Sequence, residues 1–332
     1  MHPVDAAVSP DLAKDVADRI TRELRKVIVG QDEIIKLLLV SLFSRGHCLL
    51  IGVPGLAKTL LVKSLADVLG LGFKRIQFTP DLMPADIIGS ELLKDSSGKL
   101  EFEYQQGPVF TNLLLADEIN RTPPKTQSAL LEAMQERMVT VAGQTRPLPE
   151  PFVVVATQNP IEQEGTYPLP AAQLDRFMLS LYLDYPTKAD EVEVVRRTTY
   201  GETPTLAAAV SREEILDVQR LVRAVPVSDH VMNYAVDIAA ATRSSRDGAP
   251  QAARDFIEWG AGPRASQFLV LGAKALALLD GRAAPETHDV RAIAGSVLRH
   301  RIVTNYRATG AGLKAQDVLK TLLGGIKEPS YK

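Results

Sequence analysis

The chain has 332 residues, 45% of them hydrophobic, which is enough for two domains with substantial cores. Its 38 Lys and Arg residues against 40 Asp and Glu leave a formal net charge of −2, which argues against a protein that holds nucleic acid on a broad basic surface. The one cysteine, Cys48, excludes an intrachain disulfide, and no apolar run is long or continuous enough to span a bilayer, so we expect a cytoplasmic protein.

The first predicted element is an amphipathic helix in residues 11–28. Its apolar side chains recur at helical spacing and form one stripe, namely Leu12, Val16, Ile20, Leu24 and Val27. From there to about residue 184, helical stretches alternate with short apolar runs that are typical of strands: CLLIG, FKRIQF, LLLAD, FVVVAT and LSLYLDY. Several runs are apolar throughout, as expected for parallel strands covered by helices on both faces. The alternation therefore predicts an α/β layer fold.

The strand signals stop after the sequence DYPTK. Residues 188–323 are rich in Ala, Leu, Val and Arg and have helical periodicity, which is broken at segments containing Gly and Pro. We therefore predict an α/β domain of residues 1–186 and a smaller all-helical domain of residues 187–332.

A candidate phosphate loop lies in the sequence CLLIGVPGLAKTLL. It nearly matches the pattern G-x-x-x-x-G-K-[ST], and it lies between an apolar strand and an amphipathic helix, which is the context that such a loop requires. Backbone N–H groups from about Gly55 to Thr59 would face the phosphates of a nucleotide, Lys58 would supply positive charge, and the Thr59 hydroxyl would bind Mg²⁺. The predicted nucleotide-binding residues of the loop are Gly52, Val53, Pro54, Gly55, Leu56, Ala57, Lys58, Thr59 and Leu60.

Ala57 occupies the position where the pattern has its last glycine. If the backbone is already entering the helix there, φ is negative and a methyl group is acceptable. We therefore expect a negative φ at Ala57 and a working loop rather than a decayed one.

Two further strands end in polar residues. The run NLLLADEIN ends in Asp117, which can hold Mg²⁺ through water, and Glu118, which can polarise an attacking water molecule. The run FVVVATQNP ends in Asn159, which could orient water or touch the γ-phosphate, or could simply form an Asn-Pro turn.

Two arginines and two predicted hairpins complete the pattern. Arg176 precedes the last strand, and Arg264 follows Pro263 at the expected first turn of a helix. Residues 89–110 contain a D-S-S-G turn between extended runs, and residues 137–149 alternate around Ala142 and Gly143, so both segments are predicted to be β-hairpins.

Taken in chain order, five segments resemble the MoxR family of AAA+ ATPases: GVPGLAKT, LLLADEINR, ATQNP, LDRF and GPRAS. The resemblance extends over nearly the whole chain and implies a three-layer αβα ATPase domain with a parallel sheet, followed by a small helical lid. The early segment VGQDEI resembles the adenine side of the family's site, with Val29 and Gly30 as its lining. An alanine before the loop lysine is shared by MoxR proteins and by the related minichromosome maintenance helicases, which favours a working loop.

The resemblance also implies roles for the remaining residues. Asn159 resembles sensor 1, Arg176 resembles an arginine finger that acts on the ATP of a neighbouring subunit, and Arg264 resembles sensor 2. The two hairpins resemble the insert in helix 2 and the hairpin before sensor 1, which face the pore or partners in related rings. The implied cofactors are ATP and Mg²⁺, and the implied assembly is a homo-oligomeric, hexameric ring.

Three functions remain open from the sequence. The favoured one is an ATP hydrolase that remodels, matures or activates a client protein, since MoxR relatives commonly work with partners that contain a von Willebrand factor A domain. A nucleic-acid motor is disfavoured because the predicted hairpins carry few cations and few aromatic residues for base stacking. An inert nucleotide-binding scaffold is disfavoured by the intact set of polar residues. A motor subunit similar to magnesium chelatase or rubisco activase would differ only in its client.

Overall fold

The computed structural model describes residues 9–96, 99–161, 165–200 and 204–329. The strands of these residues are β1 (Cys48–Ile51), β2 (Phe73–Gln77), β3 (Gly89–Ser96), β4 (Lys99–Gln106), β5 (Leu113–Asp117), β6 (Met138–Val141), β7 (Gln144–Pro147), β8 (Val153–Gln158), β9 (Leu179–Tyr182), β10 (Ile257–Trp259) and β11 (Val303–Thr304).

The helices are α1 (Pro10–Leu24), α2 (Asp32–Phe43), α3 (Lys58–Leu69), α4 (Pro84–Ile88), α5 (Pro124–Glu136), α6 (Ala171–Leu174), α7 (Lys188–Thr199), α8 (Arg212–Ala224), α9 (Asp229–Ala241), α10 (Gln251–Phe256), α11 (Pro263–Leu279), α12 (Thr287–Leu298), α13 (Tyr306–Gly310) and α14 (Ala315–Gly325). A 3₁₀ turn occupies Ile119–Arg121.

The five strands predicted from the sequence form one parallel sheet in the order β2-β5-β8-β1-β9. Because the strands are parallel, their carboxyl ends meet at one edge of the sheet. The register places Gln77 of β2 beside Asp117 of β5, and Ile51 of β1 beside Gln158 of β8. The residues that follow these strands are therefore brought together along one edge.

Helices cover both faces of the sheet, because side chains of alternate residues point to opposite sides. Leu113 and Leu115 pack into the core that includes α1, α2 and α3, whereas Leu114 and Ala116 pack into a second core with α5. This arrangement confirms the predicted α/β layers and explains why the central strands lack a polar face.

Helix α1 differs in detail from the prediction. It ends at Leu24 rather than near residue 28, and Leu12 is exposed, whereas the buried stripe also includes Ala13 and Ala17. The helix packs against the C-terminal helices, and Arg19 forms an ion pair with Glu214 of α8. Small alanines allow this close approach, so the buried face keeps Val16, Ile20 and Leu24 and adds Ala13 and Ala17.

The C-terminal part is helical from α7 onwards, with one departure from the all-helical prediction. Ile257–Trp259 and Val303–Thr304 form a short antiparallel pair, β10 with β11. Runs of three and two residues are too short to give a strand pattern in the sequence. Among the described residues, no helix is long and apolar enough to cross a membrane.

Two antiparallel hairpins project from the layers. Strands β3 and β4 pair from Gly89 beside Gln106 to Ser96 beside Lys99, and the predicted D-S-S-G turn between them lies partly outside the described residues. Strands β6 and β7 pair through a turn in which Ala142 and Gly143 have φ of 51° and 76°. Positive φ at both central residues is the signature of a type I′ turn, whose twist suits a two-residue hairpin. The hairpins touch each other, since the guanidinium of Arg146 lies 3.9 Å from the centre of the Tyr104 ring.

A buried histidine makes the fold sensitive to acid. His47 Nδ1 accepts a hydrogen bond from the Val154 backbone N–H at 2.9 Å, and Nε2 donates to the Met134 carbonyl at 3.1 Å, so the ring is neutral in the folded state. Burial lowers the pKa of His47 from 6.5 to about 4. Between these pH values the unfolded chain binds a proton that the folded chain does not, so the free energy of unfolding falls as pH falls through this window.

We expect His47 alone to remove about 3 kcal/mol of stability between pH 6.5 and pH 4. Urea unfolding of the wild type and of His47→Gln at several pH values in this window would measure the effect. The variant should show a shallower loss of stability with acid, because its side chain does not titrate. Equal slopes for the two proteins would contradict the assignment of a neutral buried imidazole.

Candidate nucleotide site

The phosphate loop connects β1 to α3 and lines a pocket of about 420 Å³. Residues that the sequence predicts as phosphate ligands, magnesium ligands and catalytic groups share this pocket. Its lining consists of Pro54, Gly55, Leu56, Ala57, Lys58, Thr59, Leu60, Asp117, Glu118 and Asn159. Gly52 and Val53 lie outside this lining and border a neighbouring cleft.

The predicted conformation of Ala57 is wrong. Its φ is 55° and its ψ is 25°, in the left-handed region, and it is the N-cap residue of α3. The helix begins one residue later than we expected, so Ala57 still belongs to the loop. Gly55 also has a positive φ, of 87°. Left-handed residues in a loop of this kind can aim backbone N–H groups at an anion, and such strain persists at ligand sites where the surrounding structure fixes it.

Lys58 and Thr59 begin α3 and face the pocket. Lys58 Nζ donates hydrogen bonds to the carbonyls of Gly52 and Val53, the latter at 3.1 Å. The ammonium group is therefore held over the loop in the position from which a lysine reaches phosphate oxygens. The N-terminus of α3 adds a partial positive charge at the same place.

Thr157 of β8 joins the Asp117 carboxylate to the main chain of Glu118. The Thr157 hydroxyl donates to Asp117 Oδ1 at 2.6 Å and accepts from the Glu118 backbone N–H at 2.8 Å. Glu118 has a φ of 56°, so its backbone is strained into the left-handed region. Strain of this kind persists only where surrounding contacts fix it, and here Thr157 provides one of those contacts.

Two residues of β2 also hold the carboxylates, and sequence reasoning missed both. Arg75 donates to Asp117 Oδ2 from Nη2 at 2.7 Å, and Gln77 Nε2 donates to Glu118 Oε2 at 2.9 Å. Arg75 also donates to Gln77, so these two side chains and the two carboxylates form a connected network of four groups. A signal was present, because two polar residues two apart in a predicted strand share one face of the sheet. Only the strand order shows that β2 is the neighbour of β5, so that these side chains reach Asp117 and Glu118.

Asn159 lies at the end of β8 and is 6% exposed. Its Oδ1 accepts a hydrogen bond from the Ile161 backbone N–H at 3.1 Å, which is a local turn contact. The side chain nevertheless lines the pocket, so the turn and the binding interpretations of the sequence are compatible.

A narrower apolar cleft of about 130 Å³ continues from the loop and suits a planar base. Val29 lines it as predicted, but Gly30 does not. Gly30 has a φ of 69°, and a Cβ added to it would lie 2.7 Å from Asp190, so this glycine serves the turn before α2. Gln31 of the VGQDEI segment also lines the cleft. Further lining residues, which the sequence did not indicate, are Val27, Ile28, Leu61, Pro186, Val194, Arg197 and Thr198.

The residues at the pocket fit a magnesium ion. The Thr59 hydroxyl and the Asp117 carboxylate offer hard oxygen atoms and line the same pocket, which is the chemistry that Mg²⁺ selects. Asp117 is 7% exposed, so its charge is largely removed from bulk water and is balanced by Arg75. Such a site binds Mg²⁺ together with the phosphates of a nucleotide rather than in an all-protein cage.

Arg176 and Arg264 do not enter the phosphate pocket. They line a separate pocket of about 160 Å³, together with Arg45 and Arg137. Arg264 Nη1 lies 3.2 Å from Asp175 Oδ2, in the loop that carries Arg176. Within the part of the chain that the structure describes, Arg176 has no carboxylate partner.

Sequence and structure comparisons agree with this arrangement. The profile of the ATPase family associated with various cellular activities (AAA) matches residues 47–179, and the AAA lid domain matches residues 250–322. The chain is therefore an AAA-type ATPase domain followed by an AAA lid. A candidate ATPase from Cytophaga hutchinsonii, known from a crystal structure, has 41% sequence identity and a TM-score of 0.88, covering 96% of this chain and 98% of its own.

Full-length relatives define the family more narrowly. The chain is 44% identical to Chaperone MoxR1 of Mycobacterium tuberculosis, over 99% of this chain and 87% of the relative. It is 41% identical to the uncharacterized protein YeaC of Bacillus subtilis, over 94% of each chain, and 33% identical to protein MoxR of Methylorubrum extorquens, over 91% of each. The chain belongs to the MoxR family of AAA+ ATPases.

Because Ala57 is left-handed, we expect glycine to be more stable than alanine at this position. Ala57→Gly should relieve about 1 kcal/mol of backbone strain and leave nucleotide binding intact. Ala57→Val should be destabilised, because a β-branched residue is strongly disfavoured at positive φ. Thermal unfolding and calorimetric titration with ATP would compare the two variants with the wild type. A less stable glycine variant would show that the alanine methyl group makes a needed contact.

Proposed function

We propose that the protein hydrolyses Mg²⁺-bound ATP and uses the energy to remodel, mature or activate a client protein. The observation that carries the proposal is the convergence of the phosphate loop, Asp117, Glu118 and Asn159 on one pocket. Membership of the MoxR family, in which one relative is named a chaperone, supports the coarser part of this assignment.

The proposed chemistry follows from the side chains around the pocket. Lys58 and the loop N–H groups bind the β- and γ-phosphates, while Thr59 and Asp117 hold the metal. Bound Mg²⁺ would neutralise charge on the transferred phosphoryl group. Glu118 polarises the attacking water, and its contact with Gln77 fixes the carboxylate relative to the sheet. Asn159 orients the water or the γ-phosphate through its amide group.

We propose that the adenine occupies the apolar cleft beside Val29, and that residues 1–186 form the ATPase domain and residues 187–332 the lid. Two observations support this division. The sheet ends at Tyr182, and Pro186 together with the α7 residues Val194 and Arg197 lines the cleft. The helical part would then close over the base.

We further propose that the chain works as a homo-oligomeric, hexameric ring in which Arg176 and Arg264 act on the ATP of a neighbouring subunit. Both arginines line a pocket separate from the phosphate loop of their own chain. A guanidinium can stabilise developing phosphate charge only by direct contact, so a cation in another pocket needs another subunit's nucleotide.

The client side of the proposal rests on the β3–β4 hairpin. Leu93, Leu100 and Phe102 are 53%, 68% and 71% exposed. Leu93 pairs with Phe102, and Asp95 pairs with Leu100, so the three apolar side chains share one face. An exposed apolar face marks a protein interface more often than a nucleic-acid site. A partner with a von Willebrand factor A domain is our proposal from the family resemblance.

Removal of the Glu118 carboxylate should separate binding from turnover. Glu118→Gln should bind ATP and Mg²⁺ with near wild-type affinity, since Lys58, Thr59 and Asp117 remain, but hydrolyse ATP at least about 100-fold more slowly. Calorimetry and phosphate-release assays would give the two quantities. Near-normal hydrolysis would show that a different residue positions the water.

The shared active site predicts recovery when two inactive variants are mixed. Arg176→Ala should bind ATP but barely hydrolyse it, with a loss of roughly 10³-fold or more. Lys58→Ala should fail to bind ATP productively. In mixed rings, some interfaces combine the intact loop of one subunit with the intact Arg176 of its neighbour, so activity should return.

Subunit exchange must be shown independently in this experiment, for example by energy transfer between labelled chains. Arg220→Gln is a suitable control, because Arg220 is exposed and pairs with Asp217 on the surface of α8. If subunits exchange and no activity returns, Arg176 does not act in trans and the proposed ring mechanism fails.

A further inference from the structure

The pocket that contains Arg176 and Arg264 carries more positive charge than these two predicted arginines supply. Arg45 and Arg137 also line it, and the described lining residues include no carboxylate. Four guanidinium groups around about 160 Å³ repel one another unless an anion lies among them. Only part of this charge is balanced nearby, since Arg264 pairs with Asp175 at 3.2 Å and Arg45 lies 3.9 Å from Glu150.

Arg137 is the least compensated of the additional arginines. It caps the C-terminus of α5 with a φ of 55°, and its Nη2 donates to the Arg45 carbonyl at 2.9 Å. Within the described residues it has no ion pair with a carboxylate. Burial and the nearby charge of Arg45 lower the pKa of Arg137, and the Glu150 carboxylate offsets only part of this effect, so the environment disfavours the charged form of Arg137. A half-buried cation whose charge is only partly balanced is a feature of binding sites.

The backbone around Arg137 is also strained. Arg45 has a φ of 56°, so two arginines of the same pocket occupy the left-handed region that non-glycine residues rarely adopt. Strain of this kind requires surrounding structure to maintain it and is concentrated at ligand sites. Here it directs two neighbouring loops, after α2 and after α5, toward one pocket.

We propose that Arg137 is a further catalytic residue of the ATPase reaction, which contacts the triphosphate of the neighbouring subunit together with Arg176 and Arg264. The proposal rests on the shared active site proposed above. The ligand class is a polyphosphate: several anionic oxygens within a few ångströms match several guanidinium groups, which bind phosphate in a bidentate manner. The neighbour's nucleotide then supplies the anion that the pocket lacks.

A structural role is the alternative, in which Arg137 only holds the Arg45 main chain. Two substitutions distinguish the roles. Arg137→Gln removes the charge but keeps a hydrogen-bond donor, whereas Arg137→Lys keeps the charge. A catalytic cation predicts that glutamine lowers kcat about 100-fold with little change in ATP affinity, and that lysine retains more than a tenth of the activity. A structural role predicts similar losses for both variants.

The mixing experiment tests whether Arg137 acts on the nucleotide of the neighbouring subunit or on that of its own subunit. Arg137→Gln mixed with Lys58→Ala should regain activity, because the Lys58→Ala subunit offers an intact Arg137 to its neighbour's loop. The Arg220→Gln variant is the matched control and should be as active as the wild type when assayed alone. Ring assembly and thermal stability are measured for every variant, and loss of assembly in both Arg137 variants would overturn the catalytic assignment.

The mixture of Arg176→Ala with Lys58→Ala should be assayed in parallel. If neither mixture regains activity, the proposed trans mechanism fails. If the Arg176 mixture recovers and the Arg137 mixture does not, or if Arg137→Gln alone is as active as the wild type, the trans mechanism stands and the role of Arg137 is refuted.

Discussion

The Asp175 carboxylate joins the loop before β9 to the C-terminal helices. The pocket lined by Arg45, Arg137, Arg176 and Arg264, here called the arginine pocket, depends on this contact. Asp175 Oδ1 accepts from Arg301 Nε at 2.8 Å, and Oδ2 pairs with Arg264 at 3.2 Å. The Arg301 side chain is 1% exposed and also donates to the carbonyls of Asp175 and Phe177, at 2.9 Å and 2.6 Å. Although burial lowers the pKa of Arg301 to about 10, the side chain stays charged at neutral pH. Loss of one partner of such a pair costs about 3–5 kcal/mol.

Backbone strain is concentrated at two places, the phosphate pocket and the arginine pocket. Among the described residues, five other than glycine have positive φ. Ala57 and Glu118 line the phosphate pocket, Arg45 and Arg137 line the arginine pocket, and Ala142 forms a hairpin turn. Because each left-handed residue costs on the order of 1 kcal/mol, four of them at two pockets indicate that these backbones are shaped for ligands rather than for stability.

The sequence predicted the features that depend on local pattern. The five strands of the sheet, the alternation of layers, the pairing of both hairpins and the turn at Ala142 and Gly143 follow from periodicity and from turn residues. The AAA and MoxR assignment followed from motifs whose order along the chain is specific. The contacts of Thr157, Arg75 and Gln77 with the carboxylates could not be predicted, because they depend on which strands are neighbours.

Failures at single residues have a common physical origin. The φ of Ala57 was predicted as if the residue belonged to α3, but the first helical residue is Lys58. A boundary error of one residue changes the sign of φ at a helix N-terminus, since the residues before it are free to take other conformations. Gly30 remains a predicted neighbour of the nucleotide: Val29 lines the cleft, and Gly30, with a positive φ, forms the turn beside it.

The helical part of the chain contacts both the apolar cleft and the arginine pocket, so nucleotide binding at one could affect the conformation of the other. At one side, Arg197 of α7 lines the apolar cleft and donates to the carbonyls of Arg25 and Lys26 at 2.8 Å and 3.1 Å. At the other side, Arg264 and Arg301 hold Asp175 beside Arg176. A nucleotide moves such a body only through a difference in its affinity for the two arrangements. In the proposed ring that difference would arise at both ends at once, because closing over one subunit's base would also position the arginines that we propose meet the next subunit's phosphates.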